Sequence, residues 1–389
     1  MFSAFRRLRN PLRLAWLGLA ALVLAGCQVG GPVLGTGPRI SGQTVEVAML
    51  LPLSSQQGGD AIIARSLENA ARLAASEQTG VTLDIRVYDT GGDSAQAASV
   101  ARQAVQEGAD VILGPLRSEA AAAVGVAVAN SGVAVLSFSN NTEVAGGNVF
   151  VLGHTFANAA DRIVSYAARQ GQGNIVLVHA SNLAGEVARE AVQRAAARSG
   201  ATIAATVPYE FSQTGVINAV PQVVEAVRQN GANAVLLSSD SAGALPFFAQ
   251  LLPENGLDLT TVRVLGLTRW DTPPQTLEFP GLQGGWFTMP DQGALSTFEA
   301  RYAAAYGTPP HNLAALAYDG MRAVADTAAT AGRLGGAELT ASTGFEGANG
   351  AFRLLPDGTN QRALAIAQVI DNQVAIIDPA PRRLGGPGL

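Results

Sequence analysis

A strand–helix–strand pattern between Gly108 and Asn141 constrains the fold more than any other stretch of the chain. A short apolar run at 111–113 ends in Gly114-Pro115, an Ala/Val-rich segment follows, and a second apolar run occupies 133–136. Parallel strands need a long crossover connection, and nearly all such crossovers are right-handed. The pattern therefore predicts a βαβ unit whose two strands end at the same edge of one sheet.

Polar side chains follow both predicted strands. Ser118 stands where the N-cap of the connecting helix is expected, and Ser137, Ser139 and Asn140 follow the second strand. In open α/β sheets, ligands bind beyond the carboxyl ends of the strands. These residues are therefore candidate ligand contacts, with helix capping by Ser118 and loop hydrogen bonding by Ser139 and Asn140 as the alternatives.

The same alternation of strand and helix extends in both directions. Strands are predicted at 45–51 and 81–88 and helices at 62–76 and 94–106, and a second series of helices and strands begins near residue 156. Alternating strands and helices are typical of doubly wound parallel sheets. With 389 residues, the chain is long enough for roughly two such domains.

Composition removes several function classes. The chain contains no lysine, which excludes a P-loop lysine and a Schiff-base lysine. Without the four arginines of the first 27 residues, 21 basic residues stand against 30 acidic ones, a net charge of −9. An acidic surface argues against nucleic acid as a partner. His154, His179 and His311 are scattered without metal-ligand spacing, and no nucleophile or phosphate-loop motif is present, so we expect no enzyme, no metal and no cofactor.

The N-terminus reads as a targeting segment. Arginines precede an apolar stretch at 14–25, which is too short for a stable membrane span, and Leu24-Ala25-Gly26-Cys27 resembles a bacterial lipobox. We predict a lipoprotein signal peptide at 1–27, acylation of Cys27 and a Gly/Pro-rich tether at 28–42. The alternative is an ordinary signal peptide with a chance cysteine. A flexible tail is predicted at 379–389.

Six segments together resemble one known family, and their order along the chain matters more than any single one. They are 47–54 (VAMLLPLS), Asp89, 112–118 (ILGPLRS), 135–139 (VLSFS), 304–310 (AAYGTPP) and 317–320 (AYDG). The chain resembles the type I periplasmic binding protein fold of the leucine/isoleucine/valine-binding kind. The segments at 51–54 and 87–91 and the lipobox resemble its lipoprotein branch of penicillin-binding protein activators.

The resemblance implies an α/β fold of two doubly wound, Rossmann-like lobes that are joined by a three-strand hinge, with a cleft between them. Lobe 1 is expected at 43–153 plus 309–339, and lobe 2 at 154–308 plus 340–378. The implied function is a non-enzymatic, lipid-anchored regulator of a peptidoglycan synthase, with a bifunctional penicillin-binding protein as partner. The alternative is the solute-binding protein of an ABC importer for amino acids or similar small polar ligands, with an ABC permease as partner.

The expected location is the periplasmic face of the cell envelope. Gln28 replaces the aspartate that is usually linked to retention at the inner membrane, so by analogy the outer membrane is favoured.

In amino-acid-binding relatives, lobe 1 holds the ligand carboxylate through hydroxyls and amides, and a lobe 2 acid holds its ammonium. The resemblance carries these roles to Ser118, Ser137 and Ser139, and it places Ser54 and Ser55 on the first loop. Asp240 follows a predicted lobe 2 strand and is the candidate ammonium partner, with helix capping as the alternative. The other candidate cleft residues are Phe156, His179 and Trp270. The Tyr-Gly pair of many amino-acid binders is replaced by Ala180–Gly185, which argues against amino-acid recognition.

Overall fold

The computed structural model describes residues 37–40, 44–341 and 343–384. The predicted signal peptide, Cys27, most of the predicted tether and the end of the predicted tail lie outside these residues. None of the helices within the described ranges is long and apolar enough to cross a membrane.

The described strands and helices alternate along most of the chain. The strands are Thr44–Leu51 (β1), Thr82–Asp89 (β2), Val111–Leu113 (β3), Ala134–Ser137 (β4), Val149–Val151 (β5), Asn174–Ala180 (β6), Thr202–Tyr209 (β7), Ala234–Leu237 (β8), Arg263–Gly266 (β9), Trp286–Met289 (β10), Phe345–Gly347 (β11), Gly350–Leu354 (β12), Asn360–Arg362 (β13), Ala365–Ile370 (β14) and Gln373–Asp378 (β15). The α-helices are Asp60–Ser76 (α1), Ser94–Gln106 (α2), Ser118–Ala127 (α3), Phe156–Arg169 (α4), Leu183–Ser199 (α5), Gln213–Asn230 (α6), Leu245–Glu254 (α7), Gln292–Tyr306 (α8), Ala314–Ala331 (α9) and Gly336–Ala341 (α10). Short 3-10 helices are Thr142–Val144, Pro274–Glu278 and Pro280–Leu282.

Two large sheets carry the architecture. The first has the order β2-β1-β3-β4-β5, with every neighbouring pair parallel. The second has the order β15-β14-β10-β9-β8-β6-β7 and is parallel except for β14 and β15. A small antiparallel sheet has the order β11-β12-β13. The predicted βαβ unit is confirmed as β3-α3-β4, and so is the predicted two-lobe α/β fold.

Strands β1, β3, β4 and β5 of the first sheet are largely buried on both faces, which explains their nearly continuous apolar sequences, whereas the edge strand β2 is only partly buried. Successive side chains of a strand point to opposite faces. Accordingly, Met49 and Leu51 pack into a core with α1 and α9, whereas Ala48 and Leu50 pack into a core with α2 and α3. Because helices cover both faces, the loops that follow the strands meet at the carboxyl edge of this sheet.

The start of α3 differs from the prediction. The N-cap position is Arg117 rather than Ser118, and the Arg117 side chain makes no capping hydrogen bond. Ser118 is the first residue of the helix, so the predicted capping role of its hydroxyl is wrong. The Ser118 hydroxyl is therefore available for other partners.

The division into lobes also differs from the predicted boundaries. Lobe 2 was expected to include 292–308 and 340–354, but Phe298 and Tyr302 of α8 pack into the core of the first sheet, together with Phe345 and Phe352 of the small sheet. Phe352 is fully buried there. Helical and strand periodicity show that such residues are buried, but not against which sheet. These segments therefore lie with lobe 1.

Three chain segments connect the lobes, at 152–155, 290–291 and 363–364. A buried polar network fastens these crossings. Asn360 donates to the carbonyl oxygens of Val151 at 2.8 Å and Gly153 at 2.9 Å. Arg362 donates to the carbonyl oxygen of Leu152 at 2.6 Å and forms an ion pair with Asp319 at 2.7 Å, in which the side chains are only 1% and 0% exposed. A fully buried pair needs such hydrogen bonds because both charges have lost their water.

Candidate functional site

A cavity of about 500 Å³ lies at the carboxyl edge of the first sheet. The loops after β3, β4 and β5 and the segment before α9 form its walls. Its lining residues are Asp60, Ile63, Leu116, Arg117, Ser118, Phe138, Ser139, Asn140, Asn141, Gly153, His154, Asn312, Leu313, Leu316 and Asn349. Three of the predicted ligand contacts, Ser118, Ser139 and Asn140, are thus brought together.

The turn after β3 fixes the position of this wall. Gly114 has a φ of 105°, and a Cβ at this position would lie 2.4 Å from the carbonyl oxygen of Leu50. Only glycine adopts this backbone conformation without strain and permits the close approach of β1. The turn thereby delivers Arg117 and Ser118 to the cavity within four residues.

An ion pair holds the side chain of Arg117 at the cavity. Arg117 Nη2 lies 2.6 Å from Asp60 Oδ1, and Ser55 Oγ donates to Asp60 Oδ2 at 2.8 Å. Asp60 is 2% exposed, whereas the Arg117 side chain is 44% exposed. The buried carboxylate thus orients a guanidinium that keeps donors free for the cavity, and Ser55 acts on the site through Asp60.

The two predicted serines after β4 have different environments. Ser137 is fully buried, donates to the carbonyl oxygen of Pro115 at 3.0 Å and accepts from the amide of Ser139 at 3.2 Å. Its hydroxyl therefore joins the β3 and β4 loops. The Ser139 hydroxyl lines the cavity and accepts from the amide of Asn141 at 3.0 Å, which leaves its own proton to donate. Only Ser139 is placed to contact a molecule in the cavity.

The first loop lies beside the cavity rather than in its lining. Ser54 is exposed, and its amide donates to Asp89 Oδ1 at 3.2 Å. Asp89 also accepts from the amide of Gly91 at 2.9 Å, which is the hydrogen bond of an Asx turn. Burial opposes the shift, but hydrogen bonds from Ser54 and Gly91 lower the pKa of Asp89 below its usual value.

His154 lies at the cavity where the chain first crosses between the lobes. Burial, then the charge of Arg362 and finally that of Arg269, lower the pKa of His154 to about 3, against a hydrogen bond with Asn349 that favours the protonated form. The imidazole is therefore neutral at physiological pH.

Sequence reasoning noted His154 only as a scattered histidine. It also missed Arg117, which stands next to Ser118, and Asn349, which no sequence signal connects with this site.

The predicted lobe 2 residues do not join the described lining of the cavity. Asp240 is exposed, and Phe156 is half-buried as the first residue of α4. His179 is 2% exposed, with Nδ1 at 3.1 Å from the carbonyl oxygen of Ala180. Trp270 is fully buried and stacks on Phe287 with ring centroids 5.2 Å apart. The expectation that His179 and Trp270 line the cleft is wrong, since both belong to the interior of lobe 2.

Comparison with known proteins places this geometry in a family. A family model described as periplasmic binding protein matches residues 44–373. A branched-chain amino acid ABC transporter periplasmic ligand-binding protein from Burkholderia xenovorans has a TM-score of 0.67 and 19% identity, and the match covers 87% of this chain and 94% of that chain. A branched-chain amino acid transporter substrate-binding protein from Streptococcus pneumoniae, in complex with isoleucine, has a TM-score of 0.58 and 17% identity over 87% of this chain and 100% of that chain.

Two further relatives widen the comparison. A solute-binding protein of an ABC transporter from Rhodopseudomonas palustris, in complex with 3,4-dihydroxybenzoic acid, has a TM-score of 0.60 and 18% identity over 89% of this chain and 99% of that chain. An uncharacterised protein of Rickettsia prowazekii is 24% identical over 145 residues, which is 37% of this chain and only 38% of that protein's length. Because the family model matches most of the chain, this protein belongs to the periplasmic binding protein family, with the type I fold of the leucine and branched-chain amino acid binding proteins.

Proposed function

We propose that the chain is the solute-binding protein of an ABC importer and that it holds a small carboxylate-bearing molecule in the cavity of lobe 1. One observation carries this proposal: Arg117, Ser118 and Ser139 bring a guanidinium and two hydroxyls to a single cavity at the carboxyl edge of a parallel sheet. Guanidinium and hydroxyl donors match a carboxylate. Asn140, another predicted lobe 1 contact, lines the same cavity.

The lobe 2 contacts are part of the same proposal. Phe156 and Asp240 would approach the solute from the opposite side when the lobes close. Ser54, Ser55 and Ser137 would act by shaping the loops around it. Solutes would pass from the closed protein to an ABC permease, and the chain itself would catalyse no reaction.

A thermal-shift screen of residues 28–389 tests this function. Amino acids, small carboxylates and muropeptide fragments form the panel. A ligand that binds only the folded protein at 100 times its Kd stabilises it by about 2.7 kcal/mol. We expect at least one class to raise Tm, the Ser118→Ala variant to lose most of the shift, and the control Ser296→Ala, on the exposed side of α8, to keep it. A flat screen would contradict the proposal.

A second function is favoured by the sequence segments at 51–54 and 87–91, which resemble the activator branch. In this function the chain is a regulator of a peptidoglycan synthase, with a bifunctional penicillin-binding protein as partner. Affinity capture from the cell envelope should then recover that synthase, and the purified chain should increase its glycan polymerisation. Absence of both effects would exclude it.

Lipid anchoring belongs to either function. The segment Leu24-Ala25-Gly26-Cys27 supports cleavage before Cys27 and acylation of its thiol, and multiple acyl chains would hold the protein firmly at a membrane. Gln28 favours the outer membrane. Mass spectrometry of the mature N-terminus, with Cys27→Ala as control, should find an acylated Cys27, and fractionation should find it in the outer membrane.

A further inference from the structure

We infer that the solute is an anion without an ammonium group, rather than a zwitterionic amino acid. This inference rests on the proposed solute-binding function and narrows the class of its ligand. It follows from what the described lining of the cavity offers to each charged group of an amino acid.

The cavity has no free carboxylate among the lining residues that the structure describes. Asp60 is the one acid in that lining, and both of its oxygens have partners. Oδ1 lies 2.6 Å from Arg117 Nη2, and Oδ2 accepts from Ser55 Oγ at 2.8 Å. With only 2% of the Asp60 side chain exposed, an ammonium would have to displace the guanidinium to reach it. A buried ammonium without a carboxylate partner is strongly disfavoured.

Donors, in contrast, are abundant in the same cavity. Arg117 uses Nη2 on Asp60 and keeps further N–H groups on a side chain that is 44% exposed. The Ser139 hydroxyl accepts a hydrogen bond and retains its proton, and within the described residues the Ser118 hydroxyl has no hydrogen-bond partner. These groups can satisfy both oxygens of a carboxylate.

His154 lines the cavity as an uncharged group. The positive charges of Arg362 and Arg269 both disfavour protonation of His154, in addition to the effect of burial. The neutral imidazole adds a hydrogen-bonding group without a charge.

Three acids of lobe 2 and the crossings lie outside the described lining of the cavity. Asp271 pairs with Arg269, whose Nε lies 2.9 Å from it. Asp291 caps α8 by accepting from the amides of Gly293 and Ala294 at 2.9 and 3.0 Å. Asp240 is exposed and lies near Tyr209, whose pKa is raised to about 12 by burial and then by the charge of Asp240. None of the three lines the cavity.

Matched pairs of probes test this inference by isothermal titration of residues 28–389. Each pair differs by one ammonium group: leucine and 4-methylpentanoate, and phenylalanine and 3-phenylpropanoate. We also include 3,4-dihydroxybenzoate. We expect the ammonium-free member of at least one pair to bind tenfold or more tightly than its amino acid. Tighter binding of the amino acids would overturn the inference and leave the solute-binding function intact, whereas no binding of any member would overturn both.

Two variants locate the recognition. Arg117→Gln should weaken carboxylate binding tenfold or more, whereas the control Ser296→Ala, on the exposed side of α8, should leave it within twofold. Because Arg117→Gln leaves Asp60 buried without its partner, the double variant Asp60→Asn/Arg117→Gln, which removes both charges, keeps the test valid if the single variant unfolds. Retention of wild-type affinity in the double variant, or an equal loss of binding in the control Ser296→Ala, would contradict the inference.

Discussion

At the carboxyl edge of the first sheet, Arg117, Ser118 and Ser139 line one cavity, whereas at the corresponding edge of the second sheet Asp240 is exposed and Trp270 lies inside the core. Each of these edges is formed by the carboxyl ends of parallel strands. The two edges differ in the loops that follow those strands. In lobe 1 the tight turn at Gly114 and the hydrogen bonds of Ser137 hold polar groups close together.

Two large apolar side chains are exposed after strands of lobe 2. Leu183, after β6, is 71% exposed, and Phe211, after β7, is 65% exposed. Topology alone therefore does not decide which strand ends form a binding site. Under the proposed function, recognition of the solute would therefore depend mainly on lobe 1, and lobe 2 would contribute enclosure.

The largest effect is expected at the hinge, which both lobes share. Asp319→Asn leaves Arg362 charged and buried without its carboxylate, and loss of one partner of such a pair costs about 3–5 kcal/mol. Chemical denaturation should show this loss in the free energy of unfolding. The control Asp84→Asn, whose carboxylate is half exposed and 3.6 Å from Arg86, should change it by less than about 1 kcal/mol. Equal effects of the two variants would show that the buried pair does not stabilise the chain crossings.

A pair of neighbouring serines separates structural from ligand-binding roles in lobe 1. Ser137→Ala leaves the amide of Ser139 without its partner and removes one of the two hydrogen bonds to the carbonyl oxygen of Pro115, which also accepts from the amide of Phe138, so it should lower stability by about 1–3 kcal/mol. Ser139→Ala removes a donor to the ligand and should weaken carboxylate binding roughly tenfold, about 1.4 kcal/mol. Calorimetric titration and thermal denaturation of both variants give the two quantities. Weaker binding in Ser137→Ala than in Ser139→Ala would reverse the assignment.

In lobe 2, Trp270 provides the opposite kind of test. Its Nε1 is buried with no partner among the described residues, so Trp270→Phe removes an unsatisfied donor while it leaves a small cavity beside Phe287. These effects oppose each other, and we expect the free energy of unfolding to change by roughly 1 kcal/mol or less. Ligand affinity should be unchanged. A large loss of affinity would show that Trp270 contributes to the cleft.

At neutral pH the smallest effect is that of His154, because its contribution to the free energy of unfolding develops only in acid. The folded protein holds the pKa of His154 at about 3, below the ordinary value of 6.5, so between these values the unfolded chain binds a proton that the folded chain does not. His154 therefore lowers stability progressively as the pH falls from about 6.5 towards 3. His154→Asn should flatten this part of the pH–stability curve, measured by urea denaturation. An unchanged slope would show that the imidazole is not held neutral at the cavity.

The fold was predictable where burial leaves a local signature. The apolar runs of β3 and β4 and the glycine after β3 predict a βαβ unit without any tertiary information. The lobe to which α8 belongs was not predictable, because Phe298 and Tyr302 could pack equally well against either sheet. The crossing at 290–291 places α8, and with it Phe298 and Tyr302, on the side of the first sheet.

The site was predictable as a place but not as a set of contacts. Ser118, Ser139 and Asn140 were found because they follow strands. The role of Ser137 differs from that of Ser139 because the Ser137 hydroxyl donates to the carbonyl oxygen of Pro115. This neighbour in space is not specified by any sequence pattern. Likewise, Asn349 reaches the cavity from a segment far along the chain, and the Asp60–Arg117 pair joins residues 57 positions apart.

Hydrogen–deuterium exchange compares the two edges directly. The 4-methylpentanoate complex of residues 28–389 should show slower amide exchange at 114–121 and 137–141 than the free protein, with smaller changes at 181–186 and 239–243. That result would establish lobe 1 as the side that recognises the solute. Protection confined to 181–186 and 239–243, or no protection at either edge under saturating ligand, would contradict this account.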